Sequence, residues 1–340
     1  MKNKIISLTL IAALLVTMLA AAACAPNETI YIYVPDGPPL LAVASIYRDT
    51  PDVQGRRVTV RRSTGALIGG DLVAHRPDFA LVPMNLAANR WNADNHYVLA
   101  GVALWGMLHI VENIEIGDNP ATSLEDLVGE TIVAYQRNMT PGAVLNALFG
   151  RLNIEVNWMS ATDTPSDTAV NIVEVADNAT SNSALQGNVA ALPNTRFALL
   201  ADPVATNVIM QPRFRRAFDL QEEWYDVFDG LGVPQVGVIV RRSLIESSPT
   251  LVKEILALIE SSITYARTNY QEVARVATEE LMSAYLPPRQ AVQSFLSGSG
   301  QQVYRFGRTN DTKEDIKAFL QVLPLPLIGG SMPTEGFWWG

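Results

Sequence analysis

Several short polar runs stand just past the ends of predicted strands, where an open α/β sheet presents ligand groups: Ser63-Thr64-Gly65, Met84-Asn85, and Gln136-Arg137-Asn138-Met139-Thr140 ahead of Pro141. Hydroxyls beside the free N–H groups of a following helix suit a carboxylate, sulfonate or phosphate. Arg137 can form a two-pronged contact with such an anion. Helix capping by Ser63, Thr64 and Asn85, and a solvent-facing Arg137, remain open as plainer readings. The turn Pro35-Asp36-Gly37-Pro38-Pro39 offers Asp36, and Gly37 and Gly65 let the backbone approach a ligand closely. Asp202 can accept from a ligand amine or ring N–H, or cap the helix that starts at Pro203. Trp105, Tyr135 and Trp158 can stack on a planar ligand or fill a core.

Other chemistry is excluded. The 340 residues include three histidines (His75, His96, His109) and one cysteine, Cys24. No intrachain disulfide and no cysteine-based zinc site can form, and no His-X-X-His or His-Glu-X-X-His spacing exists. The sequence supports no Ser-His-Asp arrangement, so no catalytic residue, metal ligand or cofactor site is expected. The formal charge is −9, from 25 Lys+Arg against 34 Asp+Glu, which argues against a nucleic-acid partner. With 48% hydrophobic and 17% charged residues the chain can bury a large core and is not disordered.

The first residues read as an export signal. Lys2 and Lys4 precede an uncharged apolar run from Ile5 to Ala23, which ends in four alanines directly before Cys24. Small residues before a lone cysteine resemble the bacterial lipoprotein processing box, although Ala21 stands where leucine is more usual. The resemblance implies a signal peptide over 1–23, a lipid on Cys24 and a short tether over 24–29. It places the body close to the extracytoplasmic face of a membrane of the cell envelope, held by acyl chains. An ordinary cleaved signal or an N-terminal membrane anchor is the alternative.

The elements that must position the polar runs alternate between strand and helix. Ile30–Val34, Arg57–Arg61, Asp78–Val82, Thr131–Tyr135, Val170–Val175, Arg196–Leu200 and Pro234–Val240 read as strands, and the apolar run Tyr97–Leu108 as a buried strand or strand pair leading to Val111-Glu112. Helices are expected over about 40–47, 66–75, 85–91, 141–149, 179–190, 249–268, 270–282, 289–296 and 311–322. Alternation of this kind predicts mostly parallel sheets covered on both faces. Two α/β units follow: residues 30–110 plus 235–310 as a first lobe, and 111–234 as a second. The chain crosses between them near His109–Val111 and near Val233–Gln235. Gln235 is then a hinge residue or a ligand contact, and 311–340 forms a C-terminal helix and an aromatic tail.

On these features the chain resembles the type II periplasmic substrate-binding proteins of ABC importers, in the nitrate/sulfonate/taurine and thiamine-precursor class. The marks are Pro35-Asp36-Gly37, Asp78-Phe79-Ala80-Leu81-Val82-Pro83, and Ser123-Leu124-Glu125-Asp126-Leu127-Val128-Gly129-Glu130-Thr131-Ile132. Leu200-Ala201-Asp202-Pro203-Val204-Ala205-Thr206 and Pro234-Gln235-Val236-Gly237-Val238 complete them. The resemblance implies a two-lobed α/β fold that closes on a small solute and delivers it to a permease with its ATPase. It implies a monomeric lipoprotein that is not an enzyme. The cleft residues it points to are Asp36, Gly37, Ser63, Thr64, Gly65, Asn85, Trp105, Gln136, Arg137, Asn138, Thr140, Asp202, Thr206 and Gln235. A pyrimidine or thiamine-precursor-like heterocycle is the leading solute. A small anion such as an alkyl sulfonate or taurine is the alternative, followed by a sensory lipoprotein or an enzyme on the same fold.

Overall fold

A computed structural model describes residues 29–63 and 67–340. The segment read as an export signal, Cys24, Thr64 and Gly65 lie outside the described residues.

The chain forms two sheets. The first contains β1 (Ile30–Pro35), β2 (Asp52–Val53), β3 (Arg56–Ser63), β4 (Phe79–Pro83), β5 (Tyr97–Trp105), β12 (Pro234–Arg241) and β13 (Tyr304–Arg308), in the order β13-β5-β12-β4-β1-β3-β2. The second contains β6 (Leu108–Asn113), β7 (Thr131–Tyr135), β8 (Val156–Met159), β9 (Val170–Val175), β10 (Phe197–Ala201) and β11 (Phe214–Asp219), in the order β11-β6-β10-β7-β9-β8.

Both sheets are mixed rather than nearly all parallel, and the crossings explain why. In the first sheet β3, β1 and β4 pair in parallel. Strand β12 then inserts between β4 and β5, antiparallel to both. It enters from the second lobe, at the C-terminal ends of its neighbours, and so must run back down between them. In the second sheet β10, β7, β9 and β8 are parallel. Strand β6 arrives from the first lobe and runs antiparallel to β10 and β11. Residues 106 and 107 link β5 to β6, and the return runs from the helix Leu220–Val227 into β12. Both connections leave from the edge where the parallel strands end.

Period-two alternation marks β1, whose Ile30, Ile32 and Val34 are buried while Tyr31 and Tyr33 are half-buried. Strands β5 and β6 are buried throughout, as sheet centres covered on both faces must be. The helix Pro249–Thr268 starts at a proline in its first turn and buries Leu251, Val252, Ile255, Leu256, Ile259 and Ile263 along one face. Helices expected over 40–47 and 270–282 are each divided: Pro38–Ala42 with Ala44–Asp49, and Tyr270–Arg275 followed by a π-turn over Val276–Glu280. Strands β2, β8, β11 and β13 have no counterpart in the sequence reading. One apolar cluster runs from Leu99 and Ile239 in the first sheet through Phe319 to Leu145 and Phe149 against the second.

The C-terminal residues pack on the first lobe. The Trp339 amide donates to the Leu99 carbonyl at 2.9 Å, and the Asn92 side chain donates to the Ile328 and Ser331 carbonyls at 2.6 and 2.7 Å. Among the described residues no helix is long and apolar enough to cross a membrane.

Candidate functional site: the cleft between the lobes

On the first lobe the strand ends present Asp36, Gly37, Ser63 and Asn85. The Asp36 carboxylate is already engaged. Its Oδ1 accepts the Gly37 amide at 2.9 Å and the Ser283 hydroxyl at 2.6 Å, and its Oδ2 lies 3.8 Å from the Arg62 guanidinium. Arg62 also donates to the Leu281 carbonyl. Asp36 thereby ties the segment from Leu281 to Tyr285 down onto the β1 turn. Gly37 is needed there, because its φ of 106° is strained for any residue with a Cβ. The Ser63 hydroxyl donates to Asp71 at 2.8 Å, within its own lobe. Asn85 is buried in the first turn of the helix Met84–Asp94, which has no side-chain cap at Pro83. Gln235 is the second residue of β12, and among the described residues its buried side-chain nitrogen has no hydrogen-bond partner.

On the second lobe a tight turn joins β7 to the helix Thr140–Arg151. Gln136 takes a left-handed φ of 58°, and its carbonyl accepts from Met139 at 2.9 Å and Gly142 at 3.3 Å. A Cβ on Gly142 would sit 2.2 Å from the Arg137 carbonyl oxygen, so only glycine lets the helix start this close to the turn. Arg137 donates its backbone N–H to Glu174 at 2.9 Å. Its guanidinium lies 5.4 Å over the Trp158 ring, and among the described residues no carboxylate pairs with it. Gln136, Arg137 and Asn138 are exposed. The helix has no side-chain cap at Met139. Thr140 reaches across the cleft, its hydroxyl donating to Asn85 Oδ1 at 3.4 Å.

Deeper, beside the crossings, Asp202 forms the most connected polar cluster between the lobes. It is 1% exposed. Oδ1 accepts the Thr206 amide at 2.9 Å and the Thr206 hydroxyl at 2.7 Å, both in the first turn of the helix Val204–Ile209. Oδ2 lies 2.8 Å from His109 Nε2, accepts the Ser299 hydroxyl at 2.8 Å, and lies 3.4 Å from Arg216 Nη2. Ser299 comes from the first lobe, between the helices Arg289–Ser297 and Gly300–Val303, so the carboxylate bonds across the interface. Burial by itself would raise the Asp202 pKa. The charge and hydrogen bond of His109, the Thr206 hydroxyl and the Arg216 charge outweigh it and hold the group well below the usual carboxylate range.

The structure therefore brings Asn85 and Thr140 together and joins Asp202 to Thr206. Trp105 is buried at the first crossing, its indole N–H donating to the Arg305 carbonyl at 2.8 Å and the Arg305 guanidinium 4.6 Å from its ring. Tyr135 is buried at the end of β7, and burial pushes its hydroxyl well above the usual tyrosine range. Three partners escape the sequence reading: Ser283, Ser299 and Arg216. The only local signal was the Gly298-Ser299-Gly300 turn; Ser283 carries none, and Arg216 lies in a strand too charged to read as one. Among the described residues no group of three or more His, Cys, Asp or Glu side chains could hold a metal ion.

No protein-family model matches the chain, and no curated protein is significantly similar to it. Solved structures do match. A protein from Parabacteroides distasonis described as an ABC transporter is 19% identical, with a TM-score of 0.69 over 92% of this chain and 99% of its own. The periplasmic aliphatic sulphonate binding protein of Escherichia coli is 13% identical, with a TM-score of 0.64 over 93% of each chain. The alkanesulfonate-binding protein of Xanthomonas axonopodis pv. citri, bound to MOPS, is 12% identical, with a TM-score of 0.57 over 88% of this chain and 95% of its own. At these identities the likeness is one of fold, and the fold is that of the type II periplasmic binding proteins.

Proposed function

We propose that the chain is an extracytoplasmic solute-binding receptor of an ABC importer, and that its cleft takes a small organic anion such as an alkyl sulfonate or taurine. The carrying observation is the polarity of the groups left free. Arg137 has no carboxylate partner among the described residues and stands exposed beside the uncapped helix Thr140–Arg151. On the first lobe the helix Met84–Asp94, with no side-chain cap at Pro83, meets that helix at its own first turn, where Asn85 Oδ1 accepts from Thr140. Donors with positive partial charge therefore converge on the cleft from both lobes. The two carboxylates that would accept from a cationic or N–H-bearing heterocycle, Asp36 and Asp202, are satisfied by the protein itself. Trp105, the other support for the heterocycle, is packed at the crossing. The fold likeness to two sulfonate-binding proteins supports the same choice.

In this reading the receptor closes on the solute without turnover and hands it to a permease driven by its ATPase. Cys24 carries a lipid that keeps the receptor at the extracytoplasmic membrane surface, and the receptor works as a monomer. Mass spectrometry of the gently purified protein, first native and then denatured, tests the solute. The expected result is a released organic anion near one per chain. A released neutral or cationic heterocycle at that ratio would overturn the anion reading. Fatty-acid labelling that is lost on Cys24→Ala tests the anchor.

A further inference from the structure

One side chain of the second lobe holds both chain crossings, and the second crossing is also held by a C-terminal helix. Gln221 lies in the first turn of the helix Leu220–Val227, in the second lobe. Its single Oε1 accepts the Gly106 amide of the first crossing at 3.1 Å and the Val233 amide of the second at 2.9 Å. The residue before Val233 is held from the other side: the Gly232 amide donates at 2.5 Å to Asp315 Oδ1, on the helix Thr309–Val322, which packs mainly on β5, β12 and β13 of the first sheet and meets the second lobe through Phe319. Consecutive amides, Gly232 and Val233, are thus bonded to different helices, one seated mainly on the first sheet and one in the second lobe. Both crossing glycines are sterically required. A Cβ on Gly106 would meet Gln221 Oε1 at 2.6 Å, and a Cβ on Gly232 would meet the Trp105 ring at 2.8 Å.

We infer that Gln221 is the positioning residue of lobe closure, and that the second crossing pivots at the Gly232–Val233 peptide. The inference rests on the receptor reading only in assuming that the lobes move. Rotation of one lobe against the other must be absorbed where the backbone changes allegiance, between an amide held by Asp315 and one held by Gln221. Because the same oxygen also holds Gly106, the two crossings stay in register with the second lobe and turn together. Without that acceptor, two buried N–H groups lose their partner in the observed arrangement, which then becomes less favourable than one in which water reaches them. Two neutral hydrogen bonds correspond to about a tenfold shift in the ratio of observed to opened forms.

The test is the inter-lobe distance distribution from pulsed electron spin resonance. Spin labels are placed on Val73→Cys in the first lobe and Val128→Cys in the second, both exposed, in a Cys24→Ser background. Gln221→Leu should raise the longer-distance population about tenfold in the absence of solute. Gln221→Glu, which keeps an oxygen acceptor, should restore the wild-type distribution. Asp315→Ala should broaden the distribution from the other side of the pivot, which covers the case in which Gln221→Leu folds poorly. Superimposable distributions for wild type, Gln221→Leu and Asp315→Ala would overturn the inference, as would equal broadening by Gln221→Leu and Gln221→Glu. Adding butanesulfonate to the wild type separates the two readings. If the distribution ignores that probe while the Gln221 variants still behave as expected, the pivot stands and the anion reading fails.

Discussion

Replacing Asp202 with alanine removes the acceptor for the Thr206 amide and hydroxyl and for the Ser299 hydroxyl, and takes the counter-charge away from Arg216 and His109. The site is almost fully excluded from solvent, so water cannot simply take the carboxylate's place. Removing one partner from a buried charged network costs about 3–5 kcal/mol, because the remaining groups stay buried without compensation. For domains of this size class each kcal/mol moves Tm by about 2–4 °C, so Asp202→Ala should lower Tm by roughly 10 °C at pH 7. Asp202→Asn keeps an oxygen for Thr206 and should lose about half as much. Acid gives a second handle. The folded-state pKa of Asp202 is depressed, so its contribution is present above the unfolded value and is lost as pH falls through the folded one. The gap between wild type and Asp202→Ala should therefore narrow as pH drops from about 5 towards 3. Differential scanning calorimetry across that range reads both effects. A loss under about 1 kcal/mol at pH 7, the value of an exposed pair, would refute the argument that this is a buried, charged link between lobes.

Other expectations are as direct. Glu112 is fully buried in β6, with Oε1 bonded to Arg196 at 2.7 Å and Oε2 to Arg215 at 2.7 Å; Glu112→Gln should cost about 3–5 kcal/mol in denaturant unfolding while solute affinity is unchanged. Arg137→Ala removes an exposed side chain whose guanidinium lies over the Trp158 ring, so Tm should hold within about 2 °C while anion affinity falls about 10- to 100-fold by titration calorimetry. Arg137→Lys keeps the charge but loses the planar fork and should recover only part of that affinity.

Much of the scaffold was legible because its strands are short apolar runs closed by turn residues. The alternation in Ile30–Val34, the Pro83 stop at the end of β4 and the proline in the first turn of the helix Thr140–Arg151 each have a local cause. Strand β11 was not legible, since Arg215 and Arg216 break its apolar pattern; the two arginines are held by Glu112 and Asp202, which lie elsewhere in the sequence. The same limit applies to the cleft. That Asp36, Ser63 and Asp202 follow strand ends can be read locally. That Asp36 is taken by Ser283, 247 residues away, and Asp202 by Ser299, 97 residues away, cannot, because tertiary packing alone creates those bonds. That Arg137 has no carboxylate partner among the described residues, which is what the proposed anion site rests on, is visible only after these pairings are known.

Titration calorimetry of the purified chain with butanesulfonate tests the central claim most directly. Saturable binding of one anion per chain is expected, with a Kd in the micromolar range or tighter, about −8 kcal/mol or more favourable. Absence of any saturable heat up to millimolar butanesulfonate and taurine, from protein shown by mass spectrometry to carry no passenger, would contradict it.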